Sequence, residues 1–374
     1  MKEFTKWVAT YGNAISITDR KEATYGKDIT FRYPVPMTFD GDKLRFHFSN
    51  VTGTEVVTIS KAYVGKTPIT FDGKASGQIE AGGKIVSDEI PFAVKAGETI
   101  LVSLYFADFV QLNAGTFISG PLSGGQYAYG DYAICDTFPE DFCRSTSWYY
   151  FLETIDVHTE EKNRAVICYG DSITAGSWPD YLALRCKREG YHNVSIIRRA
   201  ISGTRVLREY SCITYQAYGR KGAVRFPQES QVAGADTMII QHGINDIIHP
   251  VGEAVNKFRP MSDLPTAKEL TEGITELYVK PAKELGYKVY SGTLLPIYGW
   301  RTYAEFREDL KNEVNEWLRT SSVFDGCVDF AKAVSDTVDD RKFKEGFDSG
   351  DHLHPSEKAY EAMAEAVPKE FLID

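Results

Sequence analysis

A serine hydroxyl becomes a useful nucleophile only beside a base that takes its proton, and the base needs an acceptor to orient it. Two distant stretches of the chain hold the materials for such a set. Ser172 lies in Gly170-Asp171-Ser172-Ile173-Thr174, directly after the apolar run Ala165–Tyr169. Near the C-terminus stands Asp348-Ser349-Gly350-Asp351-His352-Leu353-His354-Pro355. Asp351 and His354 are three apart, so one loop can place a carboxylate against an imidazole and aim the far ring nitrogen outward. His352 competes as the base, and Asp348 competes as the orienting acid.

Two further stretches could supply hydrogen-bond donors: Ile201-Ser202-Gly203-Thr204-Arg205 and Gln241-His242-Gly243-Ile244-Asn245-Asp246-Ile247. A glycine lets a backbone N–H approach a ligand closely. An asparagine amide donates without carrying charge. With the N–H of Ser172, Gly203 and Asn245 are suitable donors to a developing oxyanion. Each has an ordinary explanation alone: Ser172 and Asn245 as helix caps, Gly203 as a turn residue. Their joint placement at expected strand ends favours a site.

Such residues need a scaffold that gathers strand ends. Strands are expected at Ala165–Tyr169, Val194–Ile197, Thr237–Gln241, Lys288–Leu295 and Cys327–Phe330. Helices are expected at Trp178–Glu189, within Val206–Arg220, and at Thr266–Leu285, Tyr303–Thr320 and Ser356–Val367. The alternation predicts an α/β domain, a parallel sheet of flavodoxin-like order with helices on both faces. Sheets of this kind carry ligands outside the carboxyl ends of their strands, where Ser172, Gly203 and Asn245 fall.

Upstream the pattern is that of an all-β sandwich or jelly roll. Lys43–Phe48 alternates with period two, and Glu55–Val64 and Thr99–Phe106 are rich in β-branched and aromatic residues. Turn signals such as Asp40-Gly41-Asp42, Asp72-Gly73 and Ala81-Gly82-Gly83 separate the runs. Ser147–Val157 reads as a last strand, and the glycine- and tyrosine-rich Ser119–Tyr132 as a long loop. The charged stretch Thr159–Arg164 reads as a linker, giving an accessory domain at 1–158 and a second domain at 164–374.

The 374 residues are 43% hydrophobic and 25% charged, ordinary values for folded domains. The 42 lysines and arginines face 52 acids, a formal charge of -10. That balance argues against nucleic acid or an anionic membrane as partner, since either needs a basic face. No apolar run reaches transmembrane length. Met1–Trp7 lacks the apolar core of a leader peptide, so a cytoplasmic protein is expected. The six cysteines form no C-x-x-C pair; no metal site is expected, and most of the thiols should be buried. The chain lacks a G-x-x-x-x-G-K-[ST] loop, and Asp171 would oppose a phosphate, which disfavours nucleotide binding.

The ordered set Gly170-Asp171-Ser172-Ile173, Gly203, Gly243-Ile244-Asn245-Asp246 and Asp351-His352-Leu353-His354 resembles the SGNH (GDSL-type) hydrolase superfamily. The resemblance covers roughly Arg164–Asp374. It implies that Ser172 is the nucleophile, His354 the base and Asp351 the third triad member. It also implies an oxyanion hole formed by the backbone N–H groups of Ser172 and Gly203 and the side chain of Asn245. Leu44–Asn50, with Gly53 soon after, resembles a β-sandwich found ahead of some bacterial SGNH esterases. Asp348–Pro355 is similar to the same subgroup, which includes esterases of plant-polysaccharide degraders. One departure stands out: only Ile173–Ser177 separates Ser172 from Trp178, where relatives commonly carry a longer loop.

The expectation is therefore a serine esterase, free of metal and organic cofactor, acting on short acyl esters, above all acetyl esters of oligo- or polysaccharides. Aryl esters and lysophospholipids are the alternative substrates. Trp148, Trp178 and Trp300 are candidate sugar contacts, although tryptophans mostly pack in cores. A carbohydrate-binding protein with a dead hydrolase fold would have lost its nucleophile or base, and this chain keeps both Ser172 and His354. The oligomeric state is left open.

Overall fold

Every residue of the strand Arg164–Gly170 is buried, as happens when both faces of a sheet are covered. The structure, a computed structural model, describes residues 2–17, 24–210 and 217–373. The chain divides into two compact units: Met1–Ala165 with His192–Ile197, and Val166–Tyr191 with Arg198–Asp374.

The parallel sheet that Arg164–Gly170 belongs to runs Val194–Ala200, Arg164–Gly170, Ala235–Gln241, Lys288–Gly292, Gly326–Val328. In chain order this is second, first, third, fourth, fifth, the flavodoxin-like order. Thr237 pairs with Lys288 and Tyr290 with Gly326, both in parallel. Flanking helices start and stop where local chemistry dictates. Trp178–Glu189 has Pro179 in its first turn and ends at Gly190, whose φ of 82° suits a left-handed cap. Thr266 and Glu269 form a capping box at the start of Ala267–Ile274. That helix continues through one π turn, Thr275–Val279, into Lys280–Glu284. Glu305–Thr320 and Glu357–Ala366 complete the set, the latter capped by Ser356.

The helix expected within Val206–Arg220 is absent from Val206–Tyr210, and residues 211–216 lie outside the described residues. Side chains hold this stretch in another shape. The Asp246 carboxylate accepts from the Val206 and Leu207 N–H groups at 2.7 and 3.0 Å, and the Arg205 guanidinium donates to the Arg208 and Glu209 carbonyls. The next described α-helix is Gly222–Glu229.

The first unit is β-rich. One antiparallel sheet runs Lys6–Gly12, Leu152–Thr159, Gly41–Ser49, Ile90–Val94; a six-stranded one is centred on Ile29–Pro36 and Thr99–Phe106. Alternation explains the packing: Leu44, Phe46 and Phe48 are buried, while Arg45 and His47 turn outward to Asp156 of the neighbouring strand at 2.8 Å each. Two expectations are corrected here. Ser119–Tyr132 is not one long loop, because Gly125–Tyr129 is a strand of the six-stranded sheet. Its glycine is required there, since a Cβ on Gly125 would sit 2.7 Å from the Thr146 carbonyl oxygen. Ser147–Val157 is two strands, broken at Phe151 by a φ of 63°. The cysteines also differ from expectation: Cys168 and Cys186 are buried, Cys143 and Cys327 partly so, Cys135 is exposed, and Cys212 lies outside the described residues. Among the described residues no helix is long and apolar enough to cross a membrane.

Candidate active site

Gly170 ends its strand because nothing larger fits. A Cβ there would lie 2.3 Å from the Gln241 carbonyl oxygen and 2.5 Å from Thr174 Oγ1. Asp171 then caps the short helix Ser172–Ala175, its carboxylate accepting from the Ile173 N–H at 3.1 Å. The cap is thus supplied by Asp171, and the Ser172 hydroxyl turns elsewhere. Arg198 steadies the short segment that follows, donating to the Ala175 and Gly176 carbonyls at 2.8 and 3.1 Å while pairing with buried Asp180.

The hydroxyl turns to His354. His354 Nε2 is 2.9 Å from Ser172 Oγ, and Nδ1 is 2.6 Å from Asp351 Oδ2. The other carboxylate oxygen of Asp351 accepts from the His354 and Leu353 N–H groups at 2.8 and 3.0 Å. The loop can do this because it closes on itself, with Asp348 bridged to Pro355 and the Ser349 N–H donating to the His354 carbonyl. Burial pushes the Asp351 carboxyl up, but the hydrogen bonds from His354 and Leu353 and the imidazole charge outweigh it, and its pKa is lowered. His352 makes a separate pair, Nδ1 2.6 Å from Asp348 Oδ2, and is the more exposed of the two histidines.

Gly203 and Asn245 stand at the ends of the neighbouring strands. Gly203 has a φ of 81°, and a Cβ there would strike the Tyr218 ring at 2.1 Å. Asn245 is not a cap: Gly243, with a φ of 132°, precedes the turn Ile244–Ile248 in which Asn245 lies. Its Nδ2 donates to the Thr204 carbonyl at 3.0 Å, and His242 Nε2 reaches the same carbonyl at 3.1 Å. That carbonyl only accepts, so His242 carries its proton on Nε2 and its Nδ1 accepts from the Tyr278 hydroxyl at 3.0 Å. Burial and then Arg225 lower the His242 pKa to about 3, which keeps the ring neutral.

Sequence reasoning missed several of these supports. Asp171 and Asp246 sit inside the quoted motifs, yet nothing in the residue types reveals them as anchors. Thr204 contributes through its backbone and leaves no signal at all. Of the candidate sugar contacts, Trp178 is fully buried against Phe330, whereas the Trp300 ring meets the His354 ring edge-on at 6.3 Å. Trp148 is partly buried in the first unit.

Residues 168–362 match the model of the GDSL-like lipase/acylhydrolase family. The match spans more than half of the chain, and the chain belongs to this family: it carries an SGNH hydrolase domain and is a carboxylic ester hydrolase. No curated protein matches it. Similar solved structures include the acetylxylan esterase Axe2 from Geobacillus stearothermophilus, 16% identical over 56% of this chain and 96% of that one, with a TM-score of 0.40. The α/β hydrolase LAE5, from the metagenome of Lake Arreo, is 18% identical over 56% and 94%, with a TM-score of 0.39. A family two carbohydrate esterase from Cellvibrio japonicus is 12% identical over 100% and 99%, with a TM-score of 0.36.

The buried acids beneath the site make stability depend on pH. Burial raises the Asp171 pKa to about 7, with Asp246 adding repulsion against the opposing Ile173 N–H; burial raises Asp246 to about 6 against the Val206 and Leu207 N–H groups. A raised folded-state pKa means stability present below the unfolded value, about 4, and lost as pH rises through the folded value. Asp171→Asn keeps a cap acceptor and removes the titration. Its stability relative to wild type should therefore rise between about pH 4 and 7, by on the order of a few kcal/mol, and then level off. Urea denaturation of both proteins across that range checks this; a flat difference would contradict it.

Proposed function

We propose that Ser172, His354 and Asp351 form the catalytic triad of a serine esterase acting on short acyl, chiefly acetyl, esters of oligo- or polysaccharides. The observation that carries the reading is the unbroken run of hydrogen bonds from Ser172 Oγ through the imidazole to Asp351. In this mechanism Ser172 Oγ attacks the ester carbonyl while His354 Nε2 takes its proton. The tetrahedral oxyanion is met by the Ser172 and Gly203 N–H groups and the Asn245 amide. His354 then gives the proton to the leaving alcohol, and water releases the acid by the same roles reversed. Asp351 holds the tautomer and stabilises the imidazolium without taking the proton.

The substrate half of the reading is supported by the short segment after Ser172, which is pinned by Arg198, and by the β-rich unit ahead of the esterase domain. The net charge of -10 disfavours an anionic lipid surface.

Asn245→Ala should lower kcat for acylation by about a hundred- to a thousand-fold, with KM nearly unchanged, because a preorganised donor strengthens as charge develops on the carbonyl oxygen. If Asn245 only ties Thr204 in place, its loss should cost roughly 1 kcal/mol of stability and leave acylation near normal. Single-turnover acylation and urea denaturation on the same variant separate these outcomes.

The acyl preference is tested with acetyl, butyryl and octanoyl esters, acetylated oligosaccharides, an aryl acetate and a lysophospholipid, with Ser172→Ala as control. Acetyl esters should give the highest kcat/KM. A higher value for octanoyl esters or the lysophospholipid would replace the sugar reading with the lipid one.

A further inference from the structure

In the proposed mechanism His354 must reach the leaving alkoxide to protonate it. Residues packed around His354 therefore border the alcohol half of the ester. The nearest such feature is the turn Gly299–Arg301. Trp300 meets the His354 ring at 6.3 Å with the planes at 85°. Gly299 supports the other imidazole of the same loop, since a Cβ on Gly299 would come within 2.9 Å of His352 Cγ. His352 holds a φ of 64°, a conformation unusual outside glycine. Its Nδ1 is tied to Asp348, so Nε2 is the nitrogen left for a ligand or solvent.

Arg301 follows directly. It is exposed, and its guanidinium lies 4.4 Å from the Trp300 ring centroid. Several surface arginines of this acidic chain are matched with carboxylates, Arg220 with Glu209, Arg319 with Asp329 and Arg341 with Asp339, whereas Arg144 donates to backbone carbonyls. Arg301 has no carboxylate partner among the described residues. The Trp300 indole N–H beneath it is buried and finds no acceptor within the protein. The surroundings add to the cationic character of this flank. Burial lowers the pKa of His249, and Arg259, Arg205, Arg301 and His354 lower it further.

We infer that Arg301, stacked on Trp300 beside His354, binds a carboxylate on the alcohol half of the ester, so that the preferred alcohol is a uronic acid residue. This rests on the serine esterase reading and narrows its substrate class. The planar guanidinium fork matches a carboxylate in two-point contact, and stacking on an indole holds the fork in one orientation before the substrate arrives. A lysine at this position would supply the charge without the fork.

The test uses the full chain and two acetylated methyl glycosides, one a uronoside and the other its neutral hexoside counterpart. Their kcat/KM ratio is measured at low and at raised ionic strength for wild type, Arg301→Gln and Arg301→Lys. Wild type should favour the uronoside by about fivefold, the scale of an exposed charge pair, and the ratio should fall towards one in salt. It should be near one in Arg301→Gln and intermediate in Arg301→Lys. Equal turnover of the two glycosides by wild type, or a ratio untouched in Arg301→Gln, overturns the inference while leaving the esterase reading in place. Absence of Ser172-dependent turnover on any ester, aryl acetate included, overturns both.

Discussion

The hydrogen bond between Ser172 Oγ and His354 Nε2 joins two residues 182 positions apart in the chain. Hydrogen bonds weaken steeply with small errors of distance and angle, so both ends must be held independently. At one end the Gly170 backbone fits against Gln241 with no room for a side chain, and Asp171 fixes the turn that presents the hydroxyl. At the other, Asp351 grips the ring nitrogen with one oxygen and two backbone N–H groups with the other. A single carboxylate thus sets both the loop shape and the ring orientation. That economy accounts for the three-residue spacing.

The rim beside Ser172 is built by a different device, buried polar groups meeting backbone. Asp246 draws in the Val206 and Leu207 N–H groups, and the Thr204 carbonyl draws in Asn245 and His242. Burying such groups is costly unless their bonds are satisfied, and the raised pKa values of Asp171 and Asp246 record that cost. The gain is rigidity. The segment carrying Gly203 is tied to the one carrying Asn245, so the two proposed donors cannot drift apart. Rigid donors need no reorganisation as charge develops, which is the condition for strong transition-state stabilisation.

Much of this was legible in the residues, and what was not has identifiable physical causes. Alternating apolar runs and helical patterns located all five parallel strands, because burial on both faces leaves continuous apolar stretches. The three-residue spacing made Asp351 and His354 a candidate pair, because so short a loop can fold a carboxylate against a ring. The choice between His352 and His354 could not be made so simply, since each has an aspartate within reach and only the fold decides which ring meets Ser172. Val206–Tyr210 carries residues compatible with a helix, but the competing acceptor, Asp246, lies 40 positions away. The strand Gly125–Tyr129 was hidden by a glycine whose purpose is a close approach to Thr146. Thr204 acts through a carbonyl that every residue has, so no residue type could mark it.

The central claim is that the Ser172 hydroxyl, activated through His354, is the group that takes the acyl chain. A serine-directed phosphonate ester tests this most directly, with intact mass followed by peptide mapping. One adduct per chain, located at Ser172, is the predicted result, and it should form far more slowly in His354→Ala and not at all in Ser172→Ala. Labelling that persists unchanged in Ser172→Ala would contradict the account.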